Sequence, residues 1–265
     1  MFETVRKGAK VARSLWSGRR PASVGMLHLG RCGSTVLASM LHRHTAIYWD
    51  GELFERPGLR RKAGRRNLDG KWIIRCHQAL AGDRWYGVEL KFATTVHGRH
   101  LAGSVTEVPK VLKTLGFSRF VLLTRHNELR RLVSLEIGRA KRQWHIKSGA
   151  AAKLVKVSLP IDSLWLLRDN CSLSEGIELL QSIQSEMAQQ LNDQELLQLS
   201  YEDDVQCDPA VGYRRICEFL GLAPEEVQAG TTRTNPFPLP DLLENYDEVA
   251  EHLRGTPHEW MLEED

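Results

Sequence analysis

The sequence predicts an α/β fold, a three-layer sandwich in which a mostly parallel central sheet is flanked by helices. Three observations carry that prediction. Strand-like and helix-like stretches alternate from residue 23 onward, the pattern of strands joined by crossover helices. Residues 117–124 (FSRFVLLT) form a short continuous apolar run, as a parallel strand buried on both faces requires. Residues 23–29, 30–35 and the stretch to Leu41 read as strand, glycine loop and helix in immediate succession.

In chain order, Val5, Ala9, Ala12, Leu15 and Trp16 recur at helical spacing among Arg6, Lys7, Lys10 and Arg13. Residues 1–22 are therefore expected to form a basic amphipathic segment that packs on its own domain, with at most peripheral membrane contact. Residues 23–265 are expected to form one domain. A second strand precedes Glu52. The polar, arginine-rich residues 56–70 read as an exposed, mobile loop. A helix over 72–81, a strand over 86–92 and a helix ending at Gly116 come next. The strand 117–124 leads to a long helix over 128–144. Beyond a less readable stretch with Pro160 and Asp162 come a helix over 174–191, a strand over 196–199, and helices over 209–220 and 242–253.

Residues 1–147 carry 29 Lys and Arg against 10 Asp and Glu, a net of +19, while the remainder carries −16. A basic half of this size suits an anionic ligand, or a solvated basic surface without a partner. No recognisable RNA or DNA motif accompanies it, so no nucleic-acid partner is expected. No run of about 18 apolar residues occurs. The first residues lack the apolar middle of a signal peptide, and the five cysteines are scattered without a CxxC pair; a reduced, cytoplasmic setting is expected. His28, His77, His97, His126 and His145 form no metal-binding pattern, so no metal requirement is expected.

Two stretches carry the chemistry. In LHLGRCGSTVLASML, a glycine turn opens a helix, so backbone N–H groups and the helix dipole face an incoming anion. Gly30 and Gly33 permit close approach, Arg31 adds a cation, and Ser34 and Thr35 add hydroxyls. The lysine of a GxxxxGK[ST] loop is missing, which argues against ordinary nucleoside-triphosphate hydrolysis. A glycine turn capping a helix is also a common structural device. The second stretch begins at Arg125, immediately after the apolar strand, and reaches Ser134 about two turns into the next helix. Ligands of open α/β sheets bind at this edge. Two anion-binding elements there suit a nucleotide with separated phosphate groups. The plainer alternative has Arg125 capping a carboxylate and Ser134 bonding its own helix backbone.

These elements resemble the phosphosulfate loop and the 3′-phosphate motif of sulfotransferases that use 3′-phosphoadenosine 5′-phosphosulfate (PAPS), with a P-loop-like fold, and above all the bacterial carbohydrate sulfotransferases of nodulation-factor and trehalose type. The family's R-S-G-S/T-T is matched by Arg31-Cys32-Gly33-Ser34-Thr35. Asp50-Gly51-Glu52-Leu53-Phe54 resembles the segment bearing a glutamate base. Tyr201-Glu202-Asp203, Pro209 and Ile216-Cys217-Glu218-Phe219-Leu220-Gly221 resemble the YED…P…I.EFLG ending, and Glu244-Asn245-Tyr246-Asp247-Glu248-Val249 with Leu253-Arg254-Gly255-Thr256 resembles the NYDEV…L.GT signature. The likeness runs from residue 24 to 262.

The resemblance implies in-line transfer of sulfonate to an acceptor hydroxyl with release of adenosine 3′,5′-bisphosphate. Glu52 would be the base, with His97 its competitor near the third strand. Arg31 would contact the sulfonate or bridging oxygen. Gly30, Cys32, Gly33, Ser34 and Thr35 would hold the 5′ end, and Arg125 with Ser134 the 3′-phosphate. Tyr201 is a candidate for stacking on adenine or for a core tyrosine. One departure stands out: relatives carry lysine two residues after the glycine of the third strand, whereas this chain has Glu89 there and Lys91 two residues on, both on one face. The acceptor implied is a carbohydrate, glycolipid or other small-molecule hydroxyl. The rival readings are a nucleotide-dependent phosphotransferase and a non-enzymatic protein binding nucleic acid or anionic membrane.

Overall fold

The computed structural model describes residues 21–55, 69–91, 101, 107–167 and 169–263. The N-terminal helix, most of the loop over 56–70, and His97 lie outside them. Strands β1 (Ser23–His28), β2 (Ile47–Trp49), β3 (Trp85–Lys91), β4 (Phe117–Thr124) and β8 (Glu195–Ser200) form a sheet in the order β2-β3-β1-β4-β8. Every pairing in it is parallel. The sequence reading of the central sheet therefore holds, strand by strand.

Each central strand supplies both faces, because successive side chains alternate. Val24 and Met26 of β1, with Val121 and Leu123 of β4, pack against Leu37, Met40 and Leu41 of α1 (Ser34–Leu41) and Ile216 and Leu220 of α6 (Pro209–Leu220). Leu27, Val88, Phe120 and Leu122 pack on the other face against Ile73 and Ile74 of α2 (Gly70–Ala81), Leu112 of α3 (Val108–Thr114) and Met187 of α5 (Leu173–Gln190). Full burial of such side chains contributes roughly 1.5–3 kcal/mol each before the entropy of ordering is subtracted. A third apolar cluster joins α4 (Glu128–Lys141) and α5 to the chain after residue 156.

Sequence-coded caps set the helix starts. Asp69 caps α2 through Lys71 and Trp72, Asn127 caps α4 through Arg130, and Ser172 with Glu175 forms a capping box on α5. Two helices differ from expectation. Helix α4 stops at Lys141 because Arg142 turns left-handed (φ 51), which frees Trp144 for another task. The closing helix is two pieces, α7 (Leu239–Leu242) and α8 (Tyr246–Leu253), since Val157 inserts its backbone between them, donating to Leu242 O (2.9 Å) and accepting from Glu244 N (3.0 Å). Two small antiparallel sheets escaped the sequence reading, β5 (Ile146–Lys147) with β9 (Thr231–Thr232), and β6 (Leu164–Leu166) with β7 (Asp169–Cys171). Strands of two or three residues have too few positions to display an alternation. Among the described residues, no helix is long and apolar enough to cross a membrane.

Candidate functional site

The loop after β1 carries three left-handed residues in four, Gly30 (φ 88), Arg31 (φ 55) and Gly33 (φ 82). Glycine tolerates this; arginine does so at a cost of about 1–2 kcal/mol. At Gly33 a Cβ would stand 2.6 Å from Val205 Cγ1 and 3.0 Å from Tyr201 Cδ2, so the turn also needs the missing side chain for packing. Gly33 is the N-cap of α1, and no side-chain cap bond occupies that helix start. The N–H groups of Val36 and Leu37 already meet the Gly33 carbonyl and that of Ser34 meets Cys32, so the Thr35 N–H and the hydroxyls of Ser34 and Thr35 are the first-turn donors left for an anion.

The two sequence motifs meet in space. Arg31 donates from Nε and Nη2 to Ser134 Oγ (3.0 and 2.7 Å), from Nη2 to Thr234 Oγ1 (3.0 Å) and from Nη1 to the carbonyl of Trp144 (2.9 Å). Its guanidinium also lies 5.8 Å from the Trp144 ring centroid. Arg125 donates from Nη1 to the Arg31 carbonyl (3.0 Å), and its guanidinium sits 4.5 Å over the Tyr201 ring. Glu202 faces Arg125 Nε at 3.9 Å while accepting from the N–H groups of His126 and Asn127 at the start of α4. Beside these groups lies a cavity lined by Arg125, Arg130, Ser134, Tyr201, Arg233 and Asn235, among others. Ser134 Oγ already accepts from Arg31 and from Asn235 Nδ2 (3.3 Å), so its own proton is left to donate. Asn235 Oδ1 is buried without a hydrogen-bond partner.

Burial lowers the pKa of Arg31, and it lowers that of Arg125 to about 10 against the pull of Tyr201 and Glu202. Both guanidiniums remain cations at neutral pH. With Arg130 and Arg233 they make this edge strongly attractive to a multiply charged anion.

A second constellation lies at the ends of β1 and β3. Lys91 Nζ contacts Glu52 Oε2 at 2.6 Å. Buried Glu89 accepts from the Trp49 indole N–H (2.9 Å) and faces His28 Nε2 at 3.5 Å. Donor atoms of His28, Glu52 and Glu89 lie within 4.8 Å of one another, a spacing open to a metal ion. The donors themselves do not fit one. Gly30 N–H donates to His28 Nδ1 (3.1 Å), which leaves the ring proton on Nε2, the atom that would have to ligate. Lys91 meanwhile supplies the positive charge beside Glu52. Burial opposes a charged His28, while Cys32 and Glu89 raise its pKa to about 9; the Gly30 N–H opposes that second proton. Burial raises the Cys32 thiol, but His28 and Arg131 outweigh it and bring its pKa down.

Arg31, Ser134, Arg125 and Tyr201 thus converge, and Glu52, from the loop after β2, pairs with Lys91 at the end of β3, a contact the sequence reading did not make. Tyr201 carries Arg125 on its ring, an arrangement the sequence reading did not anticipate. Arg130 was legible as a residue inside the Arg125 to Ser134 stretch, yet its role was missed. Thr234, Asn235 and Trp144 left no local signal, because their contacts to Arg31 and Ser134 span 101 to 203 residues or depend on where α4 ends, and Arg233 reaches the cavity from the same distant segment. His77 pairs with Asp50, two residues before Glu52, at 2.8 Å.

No family model and no curated protein matches the chain. Among solved structures it is similar to the tunicamycin resistance protein of Deinococcus radiodurans, with 14% identity and a TM-score of 0.44 over 78% of this chain and 100% of that one.

Proposed function

We propose that the protein is a PAPS-dependent sulfotransferase acting on an acceptor hydroxyl, with a carbohydrate or glycolipid as the favoured acceptor class. One observation carries this reading: the guanidinium of Arg31, from the loop after β1, is bonded to Ser134, from the helix after β4, beside a cavity lined with further arginines. A donor with a 5′-phosphosulfate and a separate 3′-phosphate has two anionic ends to match two such elements. The motif resemblance along residues 24 to 262 points the same way.

In this reaction the acceptor oxygen forms a bond to sulfur as the bond from sulfur to the bridging phosphate oxygen breaks, and adenosine 3′,5′-bisphosphate departs with that electron pair. Glu52 receives the acceptor proton. Lys91, 2.6 Å from Glu52, is the cation beside the reacting groups. The loop N–H groups, Ser34 and Thr35 stabilise charge on the leaving phosphate. Arg125, Arg130 and Ser134 take the 3′-phosphate.

The test is transfer of labelled sulfonate from PAPS to a panel of acceptors, with Glu52→Gln measured beside the wild type. Single-turnover rates are the proper readout, since product release can mask a chemical defect. The variant is expected to keep bisphosphate affinity and lose roughly 10²–10⁴-fold in rate, the usual worth of a general base. An unchanged single-turnover rate would exclude Glu52 as the base and make His97→Asn the next variant. Retention on immobilised bisphosphate, released by free bisphosphate but not by ATP, separates this function from a phosphotransferase.

A further inference from the structure

His28 ends β1, is 1% exposed, and takes no part in the reaction proposed above. Its ring touches the following loop twice. Nδ1 accepts from the Gly30 N–H (3.1 Å), and the Cys32 side chain hydrogen-bonds with the same imidazole. The two contacts flank Arg31, the left-handed residue whose guanidinium reaches Ser134. On the other side of the ring stands Glu89 of β3, 2% exposed, with Oε2 3.5 Å from His28 Nε2 and Oε1 accepting from the Trp49 indole N–H (2.9 Å). Gly87 permits that second bond, because a Cβ there would overlap the Trp49 ring and lift the indole off β3. A buried carboxylate needs donors, and Trp49 and His28 present one each. Glu89 thereby selects the tautomer with its proton on Nε2. Only that form leaves the Nδ1 lone pair for Gly30.

We propose that His28, held in this tautomer by Glu89, is a positioning residue for the donor loop, fixing the turn that presents Arg31 and the first donors of α1 to the 5′ end of the anionic ligand. This rests on the sulfotransferase reading and adds a residue pair that the motif resemblance does not contain. Two left-handed residues in succession, one of them an arginine, form a turn that the chain leaves readily unless something holds it. The bond from Gly30 N–H to His28 does so from inside the sheet, away from water. The 3′ end depends on it far less, since Arg125 keeps the Tyr201 ring and Glu202 as anchors of its own.

The test compares two nucleotides, adenosine 3′,5′-bisphosphate and adenosine 3′-monophosphate, on wild type, His28→Leu and His28→Asn. Asparagine carries a carbonyl oxygen near the place of Nδ1 and can accept from Gly30; leucine, branched alike and close in size, cannot. His28→Leu is expected to bind the bisphosphate about three- to tenfold more weakly, the range of one net hydrogen bond, and the 3′-monophosphate almost as before. His28→Asn is expected to recover most of that loss. Equal losses for both nucleotides, or equal losses in both variants, are what a merely structural role predicts and would overturn the proposal. If His28→Leu does not fold, Glu89→Gln carries the same comparison, because one amide oxygen cannot accept from both Trp49 and His28; it too should weaken the bisphosphate selectively. Nitrogen NMR of isotope-labelled histidine reads the tautomer in the wild type, and a His28 protonated on Nδ1 would equally overturn the assignment. Wild type that binds neither nucleotide is a separate outcome, striking the sulfotransferase reading itself and this inference with it.

Discussion

Arg125 is held from three directions, by the Arg31 carbonyl, the Tyr201 ring and Glu202, and such a side chain has little rotamer freedom left to lose when a ligand arrives. That preorganisation is why its removal should be felt mainly in affinity. Arg125→Ala is expected to weaken adenosine 3′,5′-bisphosphate by about 2 kcal/mol, near 30-fold, the range for a hydrogen bond to a charged group. Adenosine 5′-phosphosulfate, which lacks the 3′-phosphate, should bind almost as before. Titration of both ligands against both proteins decides the matter, and equal losses would move Arg125 away from the 3′ end. The variant leaves Glu202 bonded to two backbone N–H groups, so the start of α4 keeps its partner.

The loop between β1 and α1 joins backbone conformation to packing, and two glycines separate those contributions. Gly33 and Gly221 both have left-handed backbones (φ 82 and 72), but a Cβ at Gly221 meets nothing within 4 Å, whereas one at Gly33 strikes Val205 and Tyr201. Gly221→Ala should cost the left-handed strain alone, about 1–2 kcal/mol. Gly33→Ala should cost more and should also displace Tyr201, weakening bisphosphate binding through Arg125. Thermal unfolding of the two variants supplies the comparison, and equal destabilisation would show that the Gly33 contacts are of no consequence. This loop was also the most legible element in the sequence, because strand, turn and helix start are encoded within 20 residues by apolar runs and glycines. Glu89 and Lys91 were legible as sharing one strand face through alternation, but the pairing of Lys91 with Glu52 was not, since it joins the end of β3 to the loop after β2. The wall made by Thr234, Asn235 and Trp144 was not, since it depends on Arg142 ending α4 and on pairing between two-residue strands distant in sequence.

At the scale of the whole molecule, α4 ties the site to the rest of the fold, and its buried charges should show in the pH dependence of stability. Glu128, in the first turn of α4, is fully buried, with Arg131 Nε 2.8 Å from Oε2 and Gln184 of α5 on its other oxygen. Burial pushes its pKa up to about 7, against Arg131 and Arg125, which lower it. The sign follows from proton counting. Between the ordinary carboxylate value of 4.5 and about 7 the folded chain holds a proton that the unfolded chain has released, so this group's contribution is largest in acid and fades as pH rises through that interval. Glu128→Gln, which cannot ionise, lacks that fade. It also exchanges the carboxyl facing Arg131 for an amide, which shifts its absolute stability by an amount that does not vary with pH. The informative quantity is therefore the stability of wild type minus variant, from urea unfolding at steps between about pH 5 and 8; it should shrink as pH rises. Parallel curves would mean that Glu128 is already ionised throughout the interval, and that the Arg131 contact outweighs burial at the base of the helix carrying Ser134.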